Sequence, residues 1–176
     1  MPNSYDEAMT HPDIWEEPIQ RELEVMRKHG VWAVVDCPEA ARLVKTHWTF
    51  ANKYNADGNL STCKARLVAK GFTQIPGVDF FETYASVIRY VSLRMNLAIA
   101  AATNMEAWQV GYVAAYLNSK PQATVFIELP DGAKQEGKVG CLDRTLYGTM
   151  DGANNWWGTF DKEMSELGCR VHTCPL

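Results

Sequence analysis

Long apolar runs are missing from this chain: no stretch approaches the roughly 20 residues needed to cross a bilayer. The first residues, Met1-Pro2-Asn3-Ser4-Tyr5-Asp6, lack the basic and apolar regions of a secretory signal. The expectation is therefore a cytoplasmic or nuclear protein with no membrane partner. Cysteine is sparse. Cys37, Cys63, Cys141, Cys169 and Cys174 are odd in number and widely scattered, which fits reduced thiols better than a disulfide framework. Cys169, His172 and Cys174 lie close together, but no fourth ligand pairs with them at finger-like spacing, so no metal site is expected. No Asp-Asp pair occurs anywhere in the chain. Positive charge is also in deficit, with 17 Lys and Arg against 21 Asp and Glu, a balance that by itself argues against a nucleic-acid binder.

What is present is enough for one domain with a real core: 176 residues, 47% apolar and 22% charged. Charge is unevenly spread. Residues 1–40 hold nine acidic and three basic side chains, and residues 41–75 hold six basic and one acidic. A local basic segment can engage phosphates even in an acidic protein, because screening limits the reach of distant charge.

The spacing of Trp15, Ile19, Leu23 and Met26 predicts a helix that Gly30 stops. Pro18 is awkward inside it and tolerable in a first turn, so the stable helix is expected to begin there, with residues 1–14 as a tail. Three strands are predicted next, over Val31–Asp36, Thr46–Asn55 and Ser61–Gly71. The Asp57-Gly58 pair marks a hairpin turn between the last two. Along the third strand, Lys64, Arg66, Val68 and Lys70 share one face, and Ala65, Leu67 and Ala69 the other. Two readings of the cations are open: an edge strand protected by charge, or a phosphate-facing surface.

Further on, Val91 to about Asn104 is apolar nearly all round and reads as a buried helix. Trp108–Val113 reads as a short strand, Ala114–Asn118 as a turn or helix leaving it, and Thr124–Leu129 as another strand before Pro130-Asp131-Gly132. A final helix is expected from near Asp151 to Leu167, stopped by Gly168. This order of elements is that of an α+β protein.

Several ordered motifs lie along this frame. They are Lys64-Ala65-Arg66-Leu67-Val68-Ala69-Lys70-Gly71-Phe72-Thr73-Gln74 after Ala56-Asp57-Gly58-Asn59, Gly77-Val78-Asp79-Phe80 with Glu82-Thr83-Tyr84, and Gln109-Val110-Gly111 through Ala115-Tyr116-Leu117-Asn118. Leu146-Tyr147-Gly148 and Trp156-Trp157 follow. Together they resemble the reverse transcriptases of copia-type (Ty1/copia) retrotransposons over about Trp15 to Cys174.

The resemblance implies a right-hand polymerase fold, with the fingers side at about 15–105 and a partial palm at 106–174. It implies that Lys64 and Arg66 clamp the triphosphate of an incoming deoxynucleotide. Both chemistries suit that role, Arg gripping phosphate oxygens bidentately and Lys acting as a point charge. Tyr116 matches the aromatic residue under the nucleotide sugar; read without the family it is a core tyrosine. Lys70 would contact nucleic acid. The implied partners are an RNA or DNA primer-template and the remaining palm, thumb and RNase H regions, and the implied cofactor of an intact member is Mg²⁺.

Departures from the family pattern sit at the chemistry. Mg²⁺ takes hard oxygen ligands, above all carboxylates, and two-metal polymerisation needs them. The family's palm motif Q-x-D-V supplies one such aspartate, and Gly111 stands in its place. The family's Y-V-D-D motif is absent. Thr149-Met150-Asp151-Gly152-Ala153 replaces a stretch that normally ends in Q-A-P-R, and Ser119 replaces a glycine. The expectation is thus a piece of a retrotransposon Pol polyprotein with no catalytic residue and no metal site of its own. A nucleic-acid-binding or interaction module built on the basic hairpin is the alternative.

Overall fold

The computed structural model describes residues 1–169 and gives a mixed α/β chain with two sheets. Residues 1–14, expected as a tail, hold a short helix α1 (Tyr5–Ala8) and the start of α2 (Pro12–His29). Pro12 occupies the first turn of α2, so Pro18 lies inside the helix and the expected start at Pro18 is corrected. The ring at Pro18 removes one backbone hydrogen bond. Burial of Trp15, Pro18, Ile19, Leu23 and Met26 along one stripe offsets that loss. Gly30 ends the helix with φ 57°, and its N–H closes onto the carbonyls of Arg27 and Met26. Arg27, Lys28 and His29 fill the last turn, where positive charge suits the helix dipole.

Strand β1 (Trp32–Asp36) pairs antiparallel with β6 (Lys138–Leu142), which pairs antiparallel with β5 (Phe126–Ile127); β5 runs parallel to β2 (Leu43–Val44). The Asp36–Lys138 register carries a cross-strand ion pair of 2.7 Å. Only two residues of the strand expected over Thr124–Leu129 pair in this sheet. The second sheet is the predicted hairpin, β3 (Thr46–Tyr54) against β4 (Leu60–Ala69). Its turn is built as the sequence suggests: the Asn55 side-chain oxygen accepts the N–H groups of Asp57 and Asn59, and Gly58 takes φ 81°.

The stripe of α2 packs on β4, whose inward residues Ala65, Leu67 and Ala69 are buried as the alternation predicts. Val44, Trp48, Leu117, Val125, Ile127, Leu142 and Leu146 complete one core that joins both sheets. β4 ends at Ala69, two residues short of the expected strand end, and a 3-10 turn at Gly71–Thr73 follows Lys70. Here two loops cross at glycines. A Cβ on Gly71 would collide with the Gly148 carbonyl, and one on Gly148, at φ 86°, with the backbone of Ala69. Gly71→Ala and Gly148→Ala are each expected to cost about 3 kcal/mol or more, from overpacking plus, at Gly148, backbone strain. Urea unfolding measures this, and a midpoint within error of the parent chain would show that the crossing can relax.

Two expectations fail in the middle of the chain. Helix α3 (Tyr90–Ala102) forms where apolar, alanine-rich sequence predicts it, but none of its residues is buried. Val91 is 70% and Met95 61% exposed. Composition states what a helix is able to bury, and burial itself requires a facing partner, which no described element supplies. Residues 108–113 form no strand, and Trp108 stands 86% exposed. A β pattern becomes a strand only beside a sheet edge that accepts its backbone. This segment is instead anchored by Tyr112, which meets Trp156 and Phe160 edge-on at 5.1 and 5.5 Å. Those two rings lie on α4 (Gly152–Glu166), which ends with Gly168 at φ 78°, as expected.

Among the described residues Cys37, Cys63, Cys141 and Cys169 are free thiols. His172 and Cys174, of the metal reading set aside above, lie outside them. No helix among these residues is long and apolar enough to cross a membrane.

Candidate nucleotide-binding site

Between α2 and β4 lies an open cleft of about 330 Å³. Strand alternation aims Lys64 and Arg66 to the same side of β4, and both line it. Lys53 reaches the cleft from β3, and Pro18, Arg21, Glu22 and Val25 come from α2. Val113, Ala114 and Tyr147 complete the lining from the second half of the chain.

Glu22 and Tyr147 were not singled out as site residues from sequence, and they organise this cleft. No strand among the described residues pairs with the outer edge of β4, yet two of its N–H groups are used: Ala69 donates to the Tyr147 carbonyl at 2.7 Å, and Leu67 donates to Glu22 Oε1 at 3.3 Å. Burial raises the Glu22 carboxyl above its ordinary value, while the Leu67 N–H and the charges of Lys64 and Arg66 pull the other way. Lys64 is lowered, first by partial burial and then by repulsion from Arg66 and Lys53, with Glu22 opposing. Burial likewise raises the Tyr147 hydroxyl.

The Arg66 guanidinium lies 5.6 Å from the centre of the Tyr147 ring, and that ring meets Tyr116 at 5.8 Å. Such cation–π and aromatic contacts fix orientation at modest energetic gain. Arg66, Tyr147 and Tyr116 thus form a row, of which Arg66 and Tyr147 line the cleft and Tyr116 lies behind Tyr147, outside the lining. Tyr116 itself is half-buried in a 3-10 turn (Ala115–Asn118) that follows Ala114, a non-glycine residue at φ 52°. Tyr147 was legible as part of the Leu-Tyr-Gly motif, though nothing in that motif tells which cation it would meet. For Glu22 the only signal was its place on the apolar-striped helix.

The remaining expected residues fall elsewhere. Lys70 is half-buried where β4 ends, its N–H bonded to the Lys45 carbonyl, and it does not line the cleft. Gly111 is exposed, and open space surrounds the position a Cβ would take. The donor set there does not fit the Mg²⁺ of an intact polymerase, since glycine offers a backbone carbonyl in place of a carboxylate.

A polar cluster beside the cleft ties the motifs together. Gln122 accepts the N–H groups of Phe81 and Glu82 at 2.8 and 2.9 Å and donates to Asn154 and Asn155. Buried Asp151 accepts from Asn155 and from the Gln122 N–H. Within the unusual residues 149–153, Asp151 and Gly152 are thus buried in the fold while Met150 stays exposed.

Comparison with known proteins agrees with this arrangement of motifs. The family described as reverse transcriptase (RNA-dependent DNA polymerase) matches residues 29–174. This chain belongs to that family, in its copia-type retrotransposon branch. It is 33% identical over 180 residues to the retrovirus-related Pol polyprotein from transposon TNT 1-94 of Nicotiana tabacum, covering 99% of this chain and 14% of that protein. The corresponding polyprotein from transposon RE1 of Arabidopsis thaliana is 32% identical over 81% of the chain and 10% of its own length. A truncated transposon Ty1-A Gag-Pol polyprotein of Saccharomyces cerevisiae is 29% identical, over 88% of the chain and 14% of its own length. The reverse transcriptase chain thus spans a small part of each polyprotein. No solved structure matches it.

Proposed function

We propose that this chain is the fingers side and first part of the palm of a copia-type reverse transcriptase, able to hold a nucleotide's phosphates but not to polymerise. The observation that carries the reading is the meeting of Lys64 and Arg66 in one cleft, with Arg66 held on Tyr147 and Tyr147 against Tyr116. A triphosphate in the cleft would take charge-assisted hydrogen bonds from Lys64 and Arg66. The sugar-side role that the resemblance implies for Tyr116 is supported only through its contact with Tyr147, since Tyr116 itself does not line the cleft. The inactivity follows from Gly111 and from the absence of any Asp-Asp pair.

The test is binding of a deoxynucleoside triphosphate by calorimetry, at chain concentrations low enough to keep the protein dispersed. The double variant Lys64→Ala, Arg66→Ala is expected to bind on the order of 100-fold more weakly, from the loss of two charge-assisted contacts. Equal binding by parent and variant would place the phosphates elsewhere. Lys70→Ala is expected to leave this affinity unchanged, because Lys70 stands outside the cleft. Salt-dependent duplex binding that survives the double variant and falls with Lys70→Ala would favour the nucleic-acid-binding module instead.

A further inference from the structure

The cleft that holds the cations also holds an anion. Glu22 projects from α2 into the same lining as Lys64 and Arg66, and its carboxylate accepts the Leu67 N–H from the free edge of β4. It is half-buried, and among the described residues its ionised form makes no salt bridge: Arg21, its neighbour on the helix, pairs with Glu17 instead. The groups that face it are Lys64 and Arg66 on β4, Lys53 on β3, and the Tyr147 hydroxyl, with Tyr116 behind Tyr147.

We infer that Glu22 is a built-in counter-anion of the cleft, which opposes bound phosphate and takes up a proton when a polyphosphate binds between Lys64 and Arg66. This rests on the phosphate-binding reading above and adds to it the residue that sets its pH dependence. With the cleft empty, Lys64 and Arg66 stabilise the Glu22 carboxylate across a partly desolvated gap, where charge interactions exceed their strength in water. A polyphosphate brought to the same two cations uses up that positive field and adds negative charge nearby. The carboxylate is then left half-buried with one backbone N–H and little compensation, so its protonated form is favoured. No covalent change is involved, only the transfer of one proton from solvent to the carboxyl.

The sign follows from the direction of the shift. Glu22 is already raised above its ordinary value in the folded chain. Bound polyanion raises it further, and by reciprocity a lower pH, which protonates Glu22, favours the polyanion. Above the carboxyl's titration range the charge stands and binding is opposed; below it the opposition disappears.

The experiment compares the parent chain with Glu22→Gln, in which the amide oxygen can still accept the Leu67 N–H while the charge is gone. The probe is inorganic tripolyphosphate, and the quantity read is the affinity ratio of variant to parent, in which the probe's own ionisation cancels. The variant is expected to bind roughly three- to ten-fold tighter at about pH 8, the ratio falling toward unity at about pH 4. A second readout needs no variant: the Glu22 side-chain carbon, followed by NMR in the parent chain, is expected to titrate at higher pH with saturating tripolyphosphate than without. A ratio that does not vary with pH, weaker binding by Glu22→Gln, or an unmoved Glu22 titration overturns the assignment while leaving the phosphate site standing. Absence of tripolyphosphate binding by both proteins at every pH overturns the phosphate site itself, and this inference with it.

Discussion

Given primer-template, deoxynucleotides and Mg²⁺ or Mn²⁺, the purified chain is expected to make no template-dependent product. The proposed inactivity rests on Gly111, which stands where the resemblance places an aspartate, and on the lack of an Asp-Asp pair in these 176 residues. Metal-assisted phosphoryl transfer draws several kcal/mol of transition-state stabilisation from its cations, and every 1.36 kcal/mol is tenfold in rate. Losing the carboxylates that hold the cations therefore costs on the order of a thousand-fold or more. Gly111→Ala and Gly111→Asp test the locality of the defect. Space is open around Gly111, so a side chain there is expected to be tolerated without loss of melting temperature. Gly111→Asp is nonetheless expected to stay inactive, because it restores one carboxylate and no Asp-Asp pair exists to complement it. Primer extension on an RNA template resolves the point, and clear synthesis by the parent chain would refute the proposed inactivity.

The second large effect concerns the surface around α3. A contiguous set of exposed apolar side chains runs over Tyr90, Val91, Met95 and Ile99, and Trp108 and Val110 follow in the extended segment. Monomeric proteins rarely expose patches of this kind without consequence. The chain is expected to self-associate with rising concentration, seen as growth of scattering mass at the column outlet and as strong binding of an apolar dye. The triple variant Val91→Lys, Met95→Lys, Ile99→Lys follows one stripe of the helix. It is expected to raise the soluble monomer fraction several-fold while changing stability by about 0.5 kcal/mol per site or less, as exposed positions do. By contrast, Leu67→Ala in the joined core is expected to cost about 2–5 kcal/mol, since Leu67 is wholly buried. A triple variant that unfolds the chain would show that the α3 stripe is buried after all.

The hairpin and the cleft differ in how far they could be read from residues alone. The alternation of β4 was legible because it is a period of two along one strand, and the turn was legible because Asn55, Asp57 and Gly58 carry their own hydrogen-bonding and φ preferences. Helices α2 and α4 were legible from apolar spacing and from the glycines that stop them. The start of α2 was misread because Pro18 was assigned to the first turn; the helix begins at Pro12, and Trp15, ahead of Pro18, packs edge-on against Phe50 at 5.0 Å.

Local chemistry in the sequence determined most of the elements, the shared face of Lys64 and Arg66 and the family to which the chain belongs. Each of these depends on residue type and short spacing. Tertiary structure decided which groups meet. Glu22 accepts from Leu67, 45 residues away, and Arg66 lies on Tyr147 from the far side of the chain. It also decided that α3 forms without being buried and that Lys70 parts company with the other two cations. Such outcomes depend on how separate segments dock, and periodicity within one segment carries no information about the surface it will face.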